Sequence, residues 1–170
     1  NAPAWAIELA TAYESGAHGQ FILYGNVHDR MAVGTHLVNL AGYLEDDLLA
    51  SFQIVLSYDL GNGLRIERGG ELVEKWGGAN LTNLPREPLA ALHYVSRYLR
   101  YLGNLRALGR EVTDHVAVIV RGIDHIIPAD GAGYEHGSLT SILREWSSEA
   151  PFADLPFTSI LIADNLNDVE

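Results

Sequence analysis

Cysteine is absent from the 170 residues. That excludes disulfides, thiolate nucleophiles and cysteine-based zinc sites, and it suits a reducing cytoplasm, the expected location. No apolar run approaches the ~20 residues of a membrane span. No basic-then-apolar leader opens the chain, so neither a membrane segment nor a signal peptide is expected. Cations are scarce as well. Eleven Lys and Arg face 22 Asp and Glu, for a net charge of −11 and a pI near 4.9. A generally acidic surface disfavours nucleic acid as a partner. Lysine occurs once, at Lys75, so arginine supplies nearly all the positive charge. Arg97, Arg100, Arg106 and Arg110 fall within one predicted helix or at its end. They read either as a solvated face beside an acidic body or as a docking face for an acidic neighbour.

What is present is an ordinary globular balance, 48% hydrophobic and 19% charged. The length suits one domain spanning 1–170. Residues 3–15 carry Trp5, Leu9 and Ala12 at helical spacing. The run QFILYG, 20–25, predicts a buried strand. Thr35 reads as the cap of a helix over 36–50 with Leu37, Leu40, Ala41, Leu44 and Leu48 as its stripe. Residues 52–59 form the second strand. The Gly-rich stretch that follows predicts a small hairpin near 60–76, with arms around Leu64–Ile66 and Leu72–Val73. Pro85 and Pro88 open a helix over 88–108, with Leu92, Val95, Leu99 and Leu102 on one side and Gly109 at its boundary. HVAVIVRGI, 115–123, is the strongest strand. A helix over 138–149 with Leu139, Ile142, Leu143 and Trp146 leads to a last strand, 158–164. Alternating helices and near-uniformly apolar strands predict an α/β fold. Its sheet is mainly parallel and doubly wound, with helices on both faces. Ligands of such sheets bind where the strands end, which here means directly after Tyr24, Tyr58, Val120 and Ala163.

Gly25-Asn26-Val27-His28-Asp29-Arg30-Met31-Ala32 follows the first strand. Strand, glycine, loop and helix form the frame of a phosphate-binding loop, GxxxxGK[ST]. There the glycines let backbone N–H groups curl around phosphate, the lysine neutralises it and the hydroxyl holds Mg²⁺. In register with Gly25, Arg30 replaces the second glycine, Met31 the lysine and Ala32 the hydroxyl residue. Arg30 keeps a positive charge there, compatible with weak anion contact.

After the third strand stands Val120-Arg121-Gly122-Ile123-Asp124. Here the chain resembles the AAA+ ATPase family, a branch of the P-loop NTPase fold. In that family the strand ends in an Asp-Glu pair that holds the Mg²⁺ shell and polarises water. Arg121 and Gly122 replace the pair, while Ile123-Asp124 keep the pattern. Ala163-Asp164-Asn165-Leu166-Asn167 looks like the sensor-1 segment of the family, with Asn165 the better match. The resemblance implies worn Walker A and Walker B positions. It also implies a vestigial nucleotide site at Gly25, Asn26, Asp29, Arg30, Asp124 and Asn165, without a catalytic residue or a metal ligand. No cofactor is expected on this domain; ATP and Mg²⁺ belong to the parent protein. An AAA+ core continues past sensor 1 into a fifth strand, an arginine finger and a helical lid. The chain is therefore expected to be a fragment, a worn first ATPase-like domain ahead of an active one. Its expected role is catalytically silent: assembly, regulation or docking of protein partners or sister ATPase domains, with homo-oligomers allowed and no membrane.

A second reading is a small-molecule or metal-dependent enzyme on the same sheet. His28-Asp29 and Asp124-His125 would lie at neighbouring strand ends and could assemble an acid/base or metal cluster. The bland alternative is polar loop residues at the sheet mouth. Ser57, Ser138 and Ser141 lack a G-x-S-x-G context, which argues against a serine hydrolase.

Overall fold

A computed structural model describes residues 19–24, 30–33, 36–39, 52–77, 84–109, 115–127, 136–148, 155 and 157–163. Its strands are β1 (Gly19–Tyr24), β2 (Arg30–Val33), β3 (His36–Asn39), β4 (Ile54–Asp59), β5 (Gly63–Arg68), β6 (Val116–Arg121) and β7 (Phe157–Ala163). Its helices are α1 (Gly70–Gly77), α2 (Pro88–Ala107), α3 (Ile123–Ile126) and α4 (His136–Ser148). Five strands form one sheet in the order β1-β7-β6-β4-β5. The first four run parallel, and β5 closes the edge antiparallel to β4.

The central strands are largely apolar, with residues buried on both of their faces; the polar exceptions Ser57, Thr158 and Ser159 are buried as well. Ile54, Leu56 and Tyr58 of β4, Val116, Val118 and Val120 of β6, and Phe157 and Leu161 of β7 share one core with the two long helices. Val55, Ala117, Ile119, Ile160 and Ile162 point to the opposite face and are buried as well. That two-sided burial is the reason alternation is missing from these strands. The mainly parallel sheet, flanked by helices, is the α/β sandwich that the sequence predicts.

On the first face, α2 buries Ala91, Leu92, Val95, Leu99 and Leu102, a stripe spaced three and four residues apart. Pro88 opens it where a missing N–H costs nothing. Leu139, Ile142, Leu143 and Trp146 are the matching stripe of α4. The indole of Trp146 is fully buried, and its Nε1 donates to Ser96 Oγ at 2.8 Å. Its ring also meets Phe157 edge-on, centroids 5.8 Å apart. One side chain thus joins both helices to the sheet.

Two expectations need correction. His36–Asn39, read as the start of a helix, is strand β3, paired antiparallel with β2 in a separate two-stranded sheet. The pairing runs from Arg30↔Asn39 to Val33↔His36. Residues 40–50 of the predicted helix, the predicted helix 3–15 and the loop 25–29 lie outside the described residues. The hairpin near 60–76 exists, but its arms are β4 and β5, joined through Leu60-Gly61-Asn62. Leu72 and Val73, read as its second arm, lie in α1. Gly69 turns the chain there with φ +81°, and its carbonyl accepts the N–H groups of both residues, which starts the helix.

Candidate functional site

Parallel register brings four strand ends to one edge. Tyr24 of β1 is level with Ala163 of β7, Ile162 of β7 with Arg121 of β6, and Val120 of β6 with Tyr58 of β4. The loops after Tyr24, Asp59, Arg121 and Ala163 therefore all leave the sheet at its carboxyl edge, where ligands of such folds bind.

At the end of β6, Arg121 is half-buried, and burial lowers its pKa from the usual guanidinium value. The group stays cationic all the same, because that ordinary value lies far above neutral pH. Gly122 follows with φ +66°, in the left-handed region. Its carbonyl accepts from the N–H groups of His125 and Ile126 and so starts α3. Ile123, Ile126 and Ile127 are buried and anchor the turn. An l-amino acid with a side chain pays about 1–2 kcal/mol for a left-handed conformation. The backbone at 122 is thus shaped for glycine.

At the end of β4, Asp59 is committed to its own turn. Its Oδ1 accepts the Asn62 N–H at 2.8 Å, and its Oδ2 lies 3.7 Å from Arg65 Nη2. Arg65 also reaches Glu67, which accepts the hydroxyl of the fully buried Ser57 at 2.6 Å. Arg86 fastens the turn from the other side, donating to Gly61 O at 2.9 Å. Its own carbonyl accepts the Tyr58 hydroxyl at 2.6 Å. Burial, reinforced by Glu87 and Asp59 and opposed by Arg86, pushes the Tyr58 pKa up to about 12.

That shift sets a pH dependence. The folded pKa lies above the unfolded value of 10.0, so Tyr58 contributes full stability below about pH 10 and loses it as pH rises through about 12. Tyr58→Phe flattens this alkaline slope and costs about 1 kcal/mol at neutral pH, for one hydrogen bond. Urea midpoints measured from neutral to alkaline pH check both statements.

Of the six residues expected at a nucleotide site, Gly25, Asn26, Asp29 and Asn165 lie outside the described residues. Arg30 is the first residue of β2, and Asp124 lies in the first turn of α3. The stretch from Arg30 through Ala32 does not lead into a helix as a phosphate loop does. Its backbone is paired with β3, Arg30 opposite Asn39 and Ala32 opposite Leu37. For the metal-dependent reading, His28 and Asp29 lie outside the described residues and His125 is exposed. Among the described residues, no group of three His, Asp or Glu could hold a metal ion. None of the hairpin clamp around Arg86 was legible beforehand. Pro85 marked a boundary, but no spacing couples position 86 to a turn 24 residues earlier.

A mainly parallel sheet between helical layers, its loops gathered at one edge, defines a domain of the P-loop NTPase-like α/β sandwich class. The chain belongs to the family of AAA+ chaperone N-terminal Rossmann-like domains, which matches residues 1–170. No curated protein matches it. Among solved structures it is similar to the ORC2 protein of Aeropyrum pernix, described as ADPNP-ADP complexes. The two are 15% identical with a TM-score of 0.45, over 96% of this chain and 40% of that one. The chain therefore spans less than half the length of that protein. Among the described residues, no helix is long and apolar enough to cross a membrane.

Proposed function

We propose that this domain is a catalytically silent AAA+-like module, acting in assembly, regulation or partner docking within a larger ATPase. The observation that carries the reading is the end of β6. Mg²⁺ asks for oxygen ligands, carboxylates above all. The two positions that resemble the family's Asp-Glu pair hold a half-buried cation, Arg121, and a left-handed glycine, Gly122. Neither fits Mg·ATP, and at 122 the misfit lies in the backbone as well as in the side chain. The pairing of Arg30–Ala32 with β3 supports the same reading, since a ladder occupies backbone that a phosphate loop would turn towards an anion. Any remaining nucleotide contact falls to Gly25, Asn26, Asp29, Arg30, Asp124 and Asn165.

Titration calorimetry of the chain with Mg·ATP, run beside a phosphate-release assay, tests this. The expected result is no micromolar binding and no turnover. Turnover by this chain alone overturns the proposal. Restoring the carboxylates does not restore activity: Arg121→Asp with Gly122→Glu stays inactive, and Gly122→Glu by itself costs about 1–2 kcal/mol of stability. Paired activity assays and urea melts measure both effects.

A further inference from the structure

β5 is the outer strand of the five-stranded sheet, and among the described strands only β4 pairs with it. An edge strand carries a row of backbone donors and acceptors that a further strand can use. At one end of β5 that row is covered. Leu64 lies opposite Tyr58 of β4, yet its N–H donates away from β4, to Pro85 O at 2.9 Å. Residues 85 and 86 thus form a strap along the start of the edge. The Tyr58 hydroxyl holds the strap by its Arg86 carbonyl, at 2.6 Å. The Arg86 side chain closes it over the turn, donating to Gly61 O at 2.9 Å and to Asn62 O at 3.5 Å. Gly63, with φ +75°, makes room: an added Cβ would lie 3.0 Å from Arg86 Cα and 3.1 Å from Pro85 O. Burial follows the strap. Gly63 and Leu64 are buried, Arg65, Ile66 and Arg68 are half-buried, and Glu67 is exposed. In an antiparallel ladder every second residue turns its N–H and C=O away from the partner strand, so Ile66 shares the outward side with Leu64.

We propose that this strap is an autoinhibitory latch: while closed, it keeps β5 from pairing edge to edge with β5 of a second copy of the chain. A second copy is the occupant because the strand complements itself. Antiparallel pairing about Ile66 sets Ile66 opposite Ile66 and Arg65 of each copy opposite Glu67 of the other, with no like charges face to face. Arg65 and Glu67 already pair within each strand at 3.2 Å, so the second copy extends an existing charge pair. The Leu64 N–H is the next rung of the same ladder, and the strap holds this donor. Latch and second copy therefore compete for one hydrogen bond. The net charge of −11 opposes association of whole chains, but it is screened over about 8 Å at physiological salt. Paired strands lie only about 4.8 Å apart, where the local complement acts. The irregularity between Val55 and Leu56 disturbs the far end of β5, which keeps the ladder short and the dimer reversible.

Amide hydrogen exchange and sedimentation of the full chain test this. At low concentration, Arg86→Ala is expected to speed exchange of the Leu64 amide about tenfold, the equivalent of one lost hydrogen bond. As concentration rises, the variant forms a dimer in which the Leu64 and Ile66 amides regain protection, while the unaltered chain stays monomeric. Adding Glu67→Arg to Arg86→Ala sets arginines face to face and abolishes the dimer. Adding Arg65→Glu as well restores the complement, and with it the dimer. Arg86→Gln repeats the unlatching with a polar side chain, and circular dichroism confirms that each variant folds. Unchanged Leu64 exchange in both Arg86 variants overturns the latch. The proposal also fails if the Arg86 variants stay monomeric at every concentration, if the unaltered chain dimerises as strongly, or if Glu67→Arg leaves the dimer intact. No latch residue lies at the end of β6, so turnover of ATP bears on the silent-domain reading alone.

Discussion

Trp146→Ala lowers the stability of the domain by about 3–5 kcal/mol, the range for deleting a large aromatic from a packed core. The reason lies in what the indole joins. It is fully buried, it donates to Ser96 of α2, and it meets Phe157 at the start of β7 at an interplanar angle of 83°. Truncation leaves a cavity between α2, α4 and β7. It also leaves the Ser96 hydroxyl, 3% exposed as a residue, without the indole N–H. A typical domain has only about 5–15 kcal/mol in total, so the variant stands near the edge of folding. Trp146→Phe separates the two contributions. It keeps most of the aromatic volume and loses the N–H donor, for a cost nearer 1–2 kcal/mol. Ser96→Ala removes the acceptor from the other side, and in a double-mutant cycle with Trp146→Phe the two losses are less than additive. Urea denaturation followed by far-UV circular dichroism is the measurement, since the indole itself is the group removed. A loss below about 1 kcal/mol for Trp146→Ala would mean that the helical layer does not depend on this contact.

The helices and central strands were legible because one pattern governed each of them. In α2 the apolar positions recur every three to four residues over five turns, and Pro88 and Gly109 mark its two ends. In β6 five consecutive apolar residues leave no room for a polar face. The segment after β1 carried two patterns at once. Leu37, Leu40, Ala41, Leu44 and Leu48 fit a helix, while Met31-Ala32-Val33 and Leu37-Val38 are short apolar runs that also suit paired strands. His36–Asn39 shows the hairpin winning over the first residues of that stripe. Similarly, Leu72 and Val73 look like half a strand in sequence, but Gly69 redirects the chain before they are reached. The candidate site was legible as an address and not as a geometry. Strand ends could be located within a residue or two, and register then set them at one edge. The left-handed backbone of Gly122 and the reach of Arg86 across to the β4–β5 turn depend on contacts between distant parts of the chain. No local spacing encodes those.

Gly69→Ala is the second large effect, at least about 3 kcal/mol, because conformational strain and a backbone collision add. Gly69 has φ +81°, and a Cβ placed on it would lie 2.4 Å from the Gln53 carbonyl oxygen and 3.0 Å from Ile54 Cγ1. The carbonyl cannot swing aside cheaply. Gln53 precedes β4, its side chain accepts the His115 N–H at 2.7 Å, and Ile54 N–H donates to His115 O at 3.2 Å. Moving Gln53 therefore disturbs the place where β4 and β6 begin to pair. Arg68, one residue before the glycine, donates to the Phe52 carbonyl at 3.0 Å and holds the same crossing from its other strand. Gly109 supplies the control. It has nearly the same φ, +83°, with nothing within 4 Å of its added Cβ. Gly109→Ala thus pays the left-handed strain alone, about 1 kcal/mol. The difference between the two alanine variants, read from urea midpoints at constant m-value, isolates the contact with the Gln53 carbonyl. Equal losses at the two positions would show that β5 can shift away from β4 at no cost. In that case the antiparallel edge would be a loosely attached flap, separable from the parallel core.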